Sequence, residues 1–125
     1  MQREWITARS GAYSALVAAD SAAGVIGFAA LSTYRDRAGY RTTVENSVYV
    51  HRDHQRRGVG RLLLGALLEV ARDSGFHTVI ARIDSQSSGS LALHESLGFI
   101  VVGVERQIGR KFGRWLDSLI VQKFL

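Results

Sequence analysis

The sequence contains no cysteine. Disulfides, thiolate metal sites and cysteine nucleophiles are therefore excluded, and a reducing compartment such as the cytoplasm is the expectation. Proline is also absent, so glycine, with 13 copies, must make most of the turns. Lysine is scarce: of 16 basic residues only Lys111 and Lys123 are lysines, and the other 14 are arginines. No apolar run approaches the roughly 20 residues of a membrane-spanning helix. The opening residues Met-Gln-Arg-Glu-Trp carry no apolar run of signal-peptide type.

What is present fits one globular domain over residues 1–125, with 46% hydrophobic and 22% charged residues. The net charge of +5 rests almost wholly on arginine. Arginine pairs two-pronged with carboxylates and phosphates, so an anionic ligand is worth seeking, a merely basic surface being the alternative. The arginines are scattered rather than striped along one helix, and aromatic and basic residues do not interleave. That pattern argues against nucleic-acid binding.

Residues 13–19 and 25–33 read as two strands of a hairpin, and residues 34–41 as a polar, Arg-rich loop. Residues 42–51 form a third strand with clear alternation. Val44, Val48 and Val50 point one way; Thr43, Glu45, Ser47 and Tyr49 point the other. Residues 61–73 carry the strongest helical pattern, with Leu63, Ala66, Leu67 and Val70 on one face. A strand is expected at 78–83, a short helix at 90–97, and strands at 99–104 and 115–124. Residues 105–114 read as a loop or wide hairpin. The order β-β-β-α-β-α-β-β implies an α/β or α+β mixed sheet flanked by helices.

The sharpest local feature is Gln55-Arg56-Arg57-Gly58-Val59-Gly60, which follows a strand and opens a helix. Glycines allow close backbone approach, and first-turn N–H groups have no partner within the helix. With the helix dipole they form a cradle for a phosphate or pyrophosphate, to which Arg56, Arg57 and Arg61 add charge. The spacing matches neither the P-loop nor the dinucleotide fingerprint.

This loop resembles the coenzyme A pyrophosphate loop of the GCN5-related N-acetyltransferase (GNAT) superfamily. The segment Leu93-His94-Glu95-Ser96-Leu97-Gly98-Phe99 is similar to that superfamily's helix-to-strand signature. The segments 40–50 (YRTTVENSVYV) and 109–117 (GRKFGRWLD) resemble the phosphinothricin and methionine sulfoximine/sulfone acetyltransferases. The resemblance covers residues 13–125. It implies a GNAT fold lacking the first strand and helices that family members carry at the N-terminus. The strand at 13–19 would then be an uncovered sheet edge, with a homodimer as one way to cover it.

The resemblance also implies a chemistry: transfer of an acetyl group from acetyl-CoA to the amine of a small amino-acid-like substrate. Glu45 would be the base, a carboxylate merely paired with Arg41 being the alternative. His94 would donate a proton to the coenzyme sulfur or assist the base. Backbone N–H groups of Val48, Tyr49 and Val50 would hold the pantetheine amides. Gln55, Arg56, Arg57, Gly58, Val59, Gly60 and Arg61 would hold the pyrophosphate. Ser87, where family members often have Asn, and Ser90 would complete the coenzyme site. Arg35, Asp36, Arg37, Asn46 and Ser47, with Glu45, would contact the substrate. No metal is implied: His51 and His54 lack a completing ligand set and flank the phosphate loop. The alternatives are acetylation of a protein N-terminus or another amine, and a non-catalytic acyl-CoA-binding or dimerisation module. Neither nucleic acid nor membrane is an expected partner.

Overall fold

A computed structural model describes residues 15–35, 37–55 and 58–125 in full, and residues 4–9 as backbone. Seven strands form one sheet: β1 (Glu4–Arg9), β2 (Ala15–Asp20), β3 (Gly24–Thr33), β4 (Thr43–Val50), β5 (Thr78–Asp84), β6 (Ile100–Lys111) and β7 (Arg114–Phe124). Their spatial order is β1-β2-β3-β4-β5-β7-β6. All neighbouring pairs are antiparallel except β4–β5. Helix α1 (Val59–Asp73) makes the crossover between these two parallel strands, as a parallel connection requires. Helix α2 (Ser88–Ser96) joins β5 to β6.

Both helices lie against one face of the sheet. Leu63, Leu64, Leu67 and Ala71 of α1 are fully buried against Leu16, Ala18, Ile26, Ala29, Val44 and Val79. Leu91, Leu93 and Leu97 pack onto the same cluster. Strand alternation selects these residues: Val79, Ala81 and Ile83 of β5 are core, whereas Arg82 between them is exposed. Among the described residues no helix covers the opposite face, where Phe28 and Tyr49 remain half exposed and stack at 5.7 Å. The helices thus flank one face rather than both.

Two expectations change. The strand expected at 13–19 runs over Ala15–Asp20, residues 13 and 14 lying outside the described residues. It is not a sheet edge, because β1 pairs with it in register from Glu4↔Asp20 to Arg9↔Ala15. That strand was missed because six residues of mixed character give little period-2 signal. Of the two readings of 105–114, a loop or a wide hairpin, the hairpin is found, but it is tight rather than wide: β6 continues through it and β7 starts in it, closed at Phe112 and Gly113. Both residues have positive φ (52° and 73°), the conformation of a two-residue hairpin turn whose twist matches its strands. Irregular pairing between Glu105 and Gly109 hides the alternation in this stretch.

Candidate functional site

The parallel pairing of β4 with β5 extends only from Thr43↔Thr78 to Glu45↔Ile80. Beyond it β4 continues to Val50, still paired with β3. From Asn46 onward β4 therefore has an unpaired edge. The N–H of His51 donates to Ile26 of β3 at 2.7 Å. Backbone alternation turns the N–H groups of Tyr49 and Ser47 toward β3 as well, so Tyr49, contrary to expectation, does not offer its N–H to a ligand, and turns those of Val48 and Val50 toward the unpaired edge. A cleft of about 480 Å³ occupies this splay. It is walled by Val48, Val50, Gln55, the start of α1 (Gly58, Gly60, Arg61), Gln86 and Ser87, and the first turn of α2 (Ser88 to Ser90) with Leu93.

Gly58 caps α1 in the left-handed conformation (φ 79°), with no side-chain bond. The same conformation would cost a residue with a Cβ about 1–2 kcal/mol. Gly60 faces the cleft. A Cβ there would lie 3.2 Å from Leu93 Cδ2 and 3.6 Å from Val50 Cγ2. Val59, by contrast, is fully buried in the core and does not line the cleft. Gln55 Nε2 donates to the Val50 carbonyl at 3.1 Å, tying the loop to the free edge of β4. Arg61 Nη1 donates to Ser96 Oγ at 2.8 Å, and that hydroxyl donates to the Leu93 carbonyl at 2.7 Å, so Arg61 braces α1 against α2. Ser87 caps α2 through its backbone, accepting from Leu91 at 3.1 Å. Arg56, Arg57 and Asp36 lie outside the described residues. A long cleft with glycines and a helix start at one end and free strand-edge groups along one wall fits an extended ligand that carries phosphate and amides. Acetyl-CoA is such a molecule.

Alternation on β4 separates Glu45 from Asn46. Asn46 is buried on the helix face, where its Nδ2 lies 3.2 Å from His94 Nε2. His94 Nδ1 lies 2.8 Å from the Ser90 carbonyl. A carbonyl only accepts, so Nδ1 carries the proton, Nε2 presents its lone pair, and Asn46 donates to it. The ring meets Phe99 edge-on at 4.9 Å. Burial holds the His94 pKa below 6.5, outweighing the opposing effect of the Ser90 carbonyl. His94 is thus a neutral, doubly bonded imidazole on the face away from Glu45. It is not placed to assist that carboxylate, and Asn46 is not placed beside it.

Glu45 stands on the open face. Its carboxylate accepts from Arg82 Nη1, not from Arg41. Arg82 Nε also donates to Glu105 Oε1 at 3.1 Å. Burial lowers the Arg82 pKa, but the charges of Glu45 and Glu105 outweigh it and hold the guanidinium above its ordinary range. Ser47 and Tyr49 share this face and are exposed. Arg35 stacks over Tyr34 and Tyr40 at 5.0 and 5.5 Å and donates to the Tyr34 hydroxyl at 3.3 Å. Arg37 is exposed at the start of the 3-10 turn Ala38–Tyr40. Arg82 and Glu105 were not legible as site residues in the sequence. The visible signal was an arginine interrupting the apolar run of β5, but the register that sets it beside Glu45 could not be read. His51 Nδ1 accepts from Asp53 N at 3.2 Å, and among the described residues no group of three acidic or His side chains could hold a metal.

Residues 1–99 match the model of the Acetyltransferase (GNAT) family, and the chain belongs to that family. It is 49% identical over 119 residues to the L-amino acid N-acyltransferase MnaT of Escherichia coli, covering 94% of this chain and 69% of the relative. It is 47% identical over 115 residues to the L-methionine sulfoximine/L-methionine sulfone acetyltransferase of Pseudomonas aeruginosa, covering 92% and 66%. The fold superimposes with a TM-score of 0.86 on a GNAT superfamily phosphinothricin acetyltransferase from Sinorhizobium meliloti solved with acetyl-CoA. That pair shares 39% identity and covers 90% of this chain and 61% of the other. The chain thus spans about two thirds of the length of these proteins, and its sheet has the GNAT fold.

Proposed function

We propose that the protein is an N-acetyltransferase that moves an acetyl group from acetyl-CoA to the amine of a small amino acid of the methionine sulfone, methionine sulfoximine or phosphinothricin type. The observation that carries this reading is the splay of β4 from β5 opposite the glycine-rich start of α1. The names of the similar proteins support the same substrate class. Acetyl-CoA supplies an activated thioester. The free edge at Val48 and Val50 offers strand-like hydrogen bonds to amides, and Gly58, Gly60 and Arg61, with Arg56 and Arg57, receive the pyrophosphate. As the amine nitrogen bonds to the acetyl carbon, the C–S bond breaks, coenzyme A leaves as its thiolate, and Glu45 takes the proton that the amine loses. Arg35, Asp36, Arg37 and Ser47 stand as candidate substrate contacts, and Ser87 and Ser90 as coenzyme contacts. His94 and Asn46 hold the cleft wall through α2.

The reading includes one catalytic domain over 1–125, acting in the cytoplasm on a small molecule and not on nucleic acid or a membrane. It also includes a homodimer. Edge strand β6 supports this, because Ile100, Val102, Val104 and Ile108 are all exposed along it. Light scattering of the pure protein should give twice the chain mass; the mass of one chain would refute the dimer. The activity is tested by thiol release from acetyl-CoA with the three amino acids, each alone. Release with at least one, and none without an amine, is expected. Coenzyme binding without turnover of any amine would favour a non-catalytic acyl-CoA-binding module.

A further inference from the structure

The Glu45–Arg82–Glu105 cluster joins three strands, and the coenzyme cleft does not use it. The side chain of Arg82 leaves β5 on the open face, reaches Glu45 on one neighbouring strand, and meets Glu105 beyond β7 on the other side. A guanidinium has five N–H groups. One on Nη1 and the one on Nε are committed here, so the Nη2 pair remains for a third partner. The side chain of Arg82 is 40% exposed, so that partner can come from solution. Two carboxylates holding one guanidinium fix its orientation before any ligand arrives. Without Arg82, the same spot would present two negative charges and repel an anion.

In an α-amino acid a single carbon separates the amine from the carboxylate. An amine brought to Glu45 therefore carries its carboxylate to within a few ångströms of a guanidinium already bonded to Glu45. Arg35, in the loop before β4, has its guanidinium engaged by Tyr34 and Tyr40. We propose that Arg82 is a specificity-determining residue that binds the substrate's α-carboxylate, and that Glu105 is its positioning residue. This rests on the reading of Glu45 as the base that receives the amine.

The experiment compares methionine sulfone with the corresponding primary amine that lacks the carboxyl group. Steady-state kinetics are measured on the wild type, Arg82→Gln, Arg82→Lys and Glu105→Gln. Losing a hydrogen-bonded charge pair to the carboxylate should raise the amino-acid KM in Arg82→Gln on the order of tenfold or more. The KM for the bare amine should stay or fall, and that for acetyl-CoA should not move. Arg82→Lys keeps the charge without the fork and should lie between. Glu105→Gln should raise the amino-acid KM by a smaller factor and leave kcat nearly unchanged, which a general loss of structure would not do. Equal KM changes for amino acid and amine, or none, overturn the proposal. Calorimetric binding of the same two ligands gives the readout without turnover. Selective loss of amino-acid binding in Arg82→Gln upholds Arg82 even if no acetyl transfer occurs, and in that case only the acetyltransferase reading fails. Binding of neither ligand to the wild type overturns both.

Discussion

The two faces of strand β4 differ more than neighbouring residues of one strand usually do. On the helix face Val44 and Asn46 are sealed under α1 and α2, and the polar group there is committed to a single imidazole. On the open face Glu45, Ser47 and Tyr49 meet solvent or other charged side chains, and Glu45 is bonded to an arginine that keeps donors for a further partner. One residue of spacing thus decides whether a polar side chain is sealed in the core or faces solvent and charge. Substitutions on the two faces should accordingly report in different observables, stability on one and kinetics on the other.

The largest expected effect is on the open face. Glu45→Gln keeps the shape and removes the proton acceptor. The rate at saturating acetyl-CoA should fall about 100-fold or more, the usual scale of general-base loss, with little change in melting temperature. Retained activity would refute the base. Across the strand, Asn46→Ala leaves the buried Nε2 of His94 without a donor. Such an orphan costs about 1–3 kcal/mol, to be read from urea unfolding. A Glu45-like loss of rate with unchanged stability would erase the contrast between the faces.

The buried imidazole adds a pH dependence. The pKa of His94 is lowered in the folded state, so between that value and the ordinary 6.5 the unfolded chain binds more protons. Stability is therefore full above the unfolded value and declines as pH falls below it. His94→Gln should flatten that decline in urea melts at a series of pH values; an unchanged slope would move its origin elsewhere. A smaller effect is expected at the cleft mouth. Gly60→Asp places a Cβ against Leu93 and Val50 and a negative charge where the pyrophosphate is expected. Calorimetry should show coenzyme A affinity weakened on the order of tenfold, the scale of a single charge-assisted hydrogen bond. The smallest is Gln55→Ala, which removes one partly exposed bond to Val50 and should weaken the same affinity a few-fold at most.

Periodicity made α1, β4 and β5 legible, because a wide leucine stripe and alternating valines leave few other ways to be buried. The glycine-rich entry to α1 was legible for the same local reason. The partners of the functional side chains were not. Glu45 meets Arg82 only because β4 and β5 align Glu45 with Ile80, and nothing local in either strand fixes that register. Asn46 and His94 lie 48 residues apart, and only the path of the chain through α1 and β5 brings them together. β1 was missed because its partner β2, not its own pattern, makes it a strand. The bulge in the long β6–β7 hairpin broke its alternation and left loop and wide hairpin both open.

In this account the splayed cleft holds acetyl-CoA while Glu45 receives an amino acid's amine on the other side of the same strand. The most direct measurement is thiol release from acetyl-CoA with methionine sulfone, run in parallel with calorimetric coenzyme A binding, on the wild type and Glu45→Gln. Expected are turnover by the wild type, an about 100-fold or larger loss in Glu45→Gln, and equal coenzyme affinity in both. Equal turnover by the two proteins, or coenzyme binding that disappears with Glu45, would contradict this.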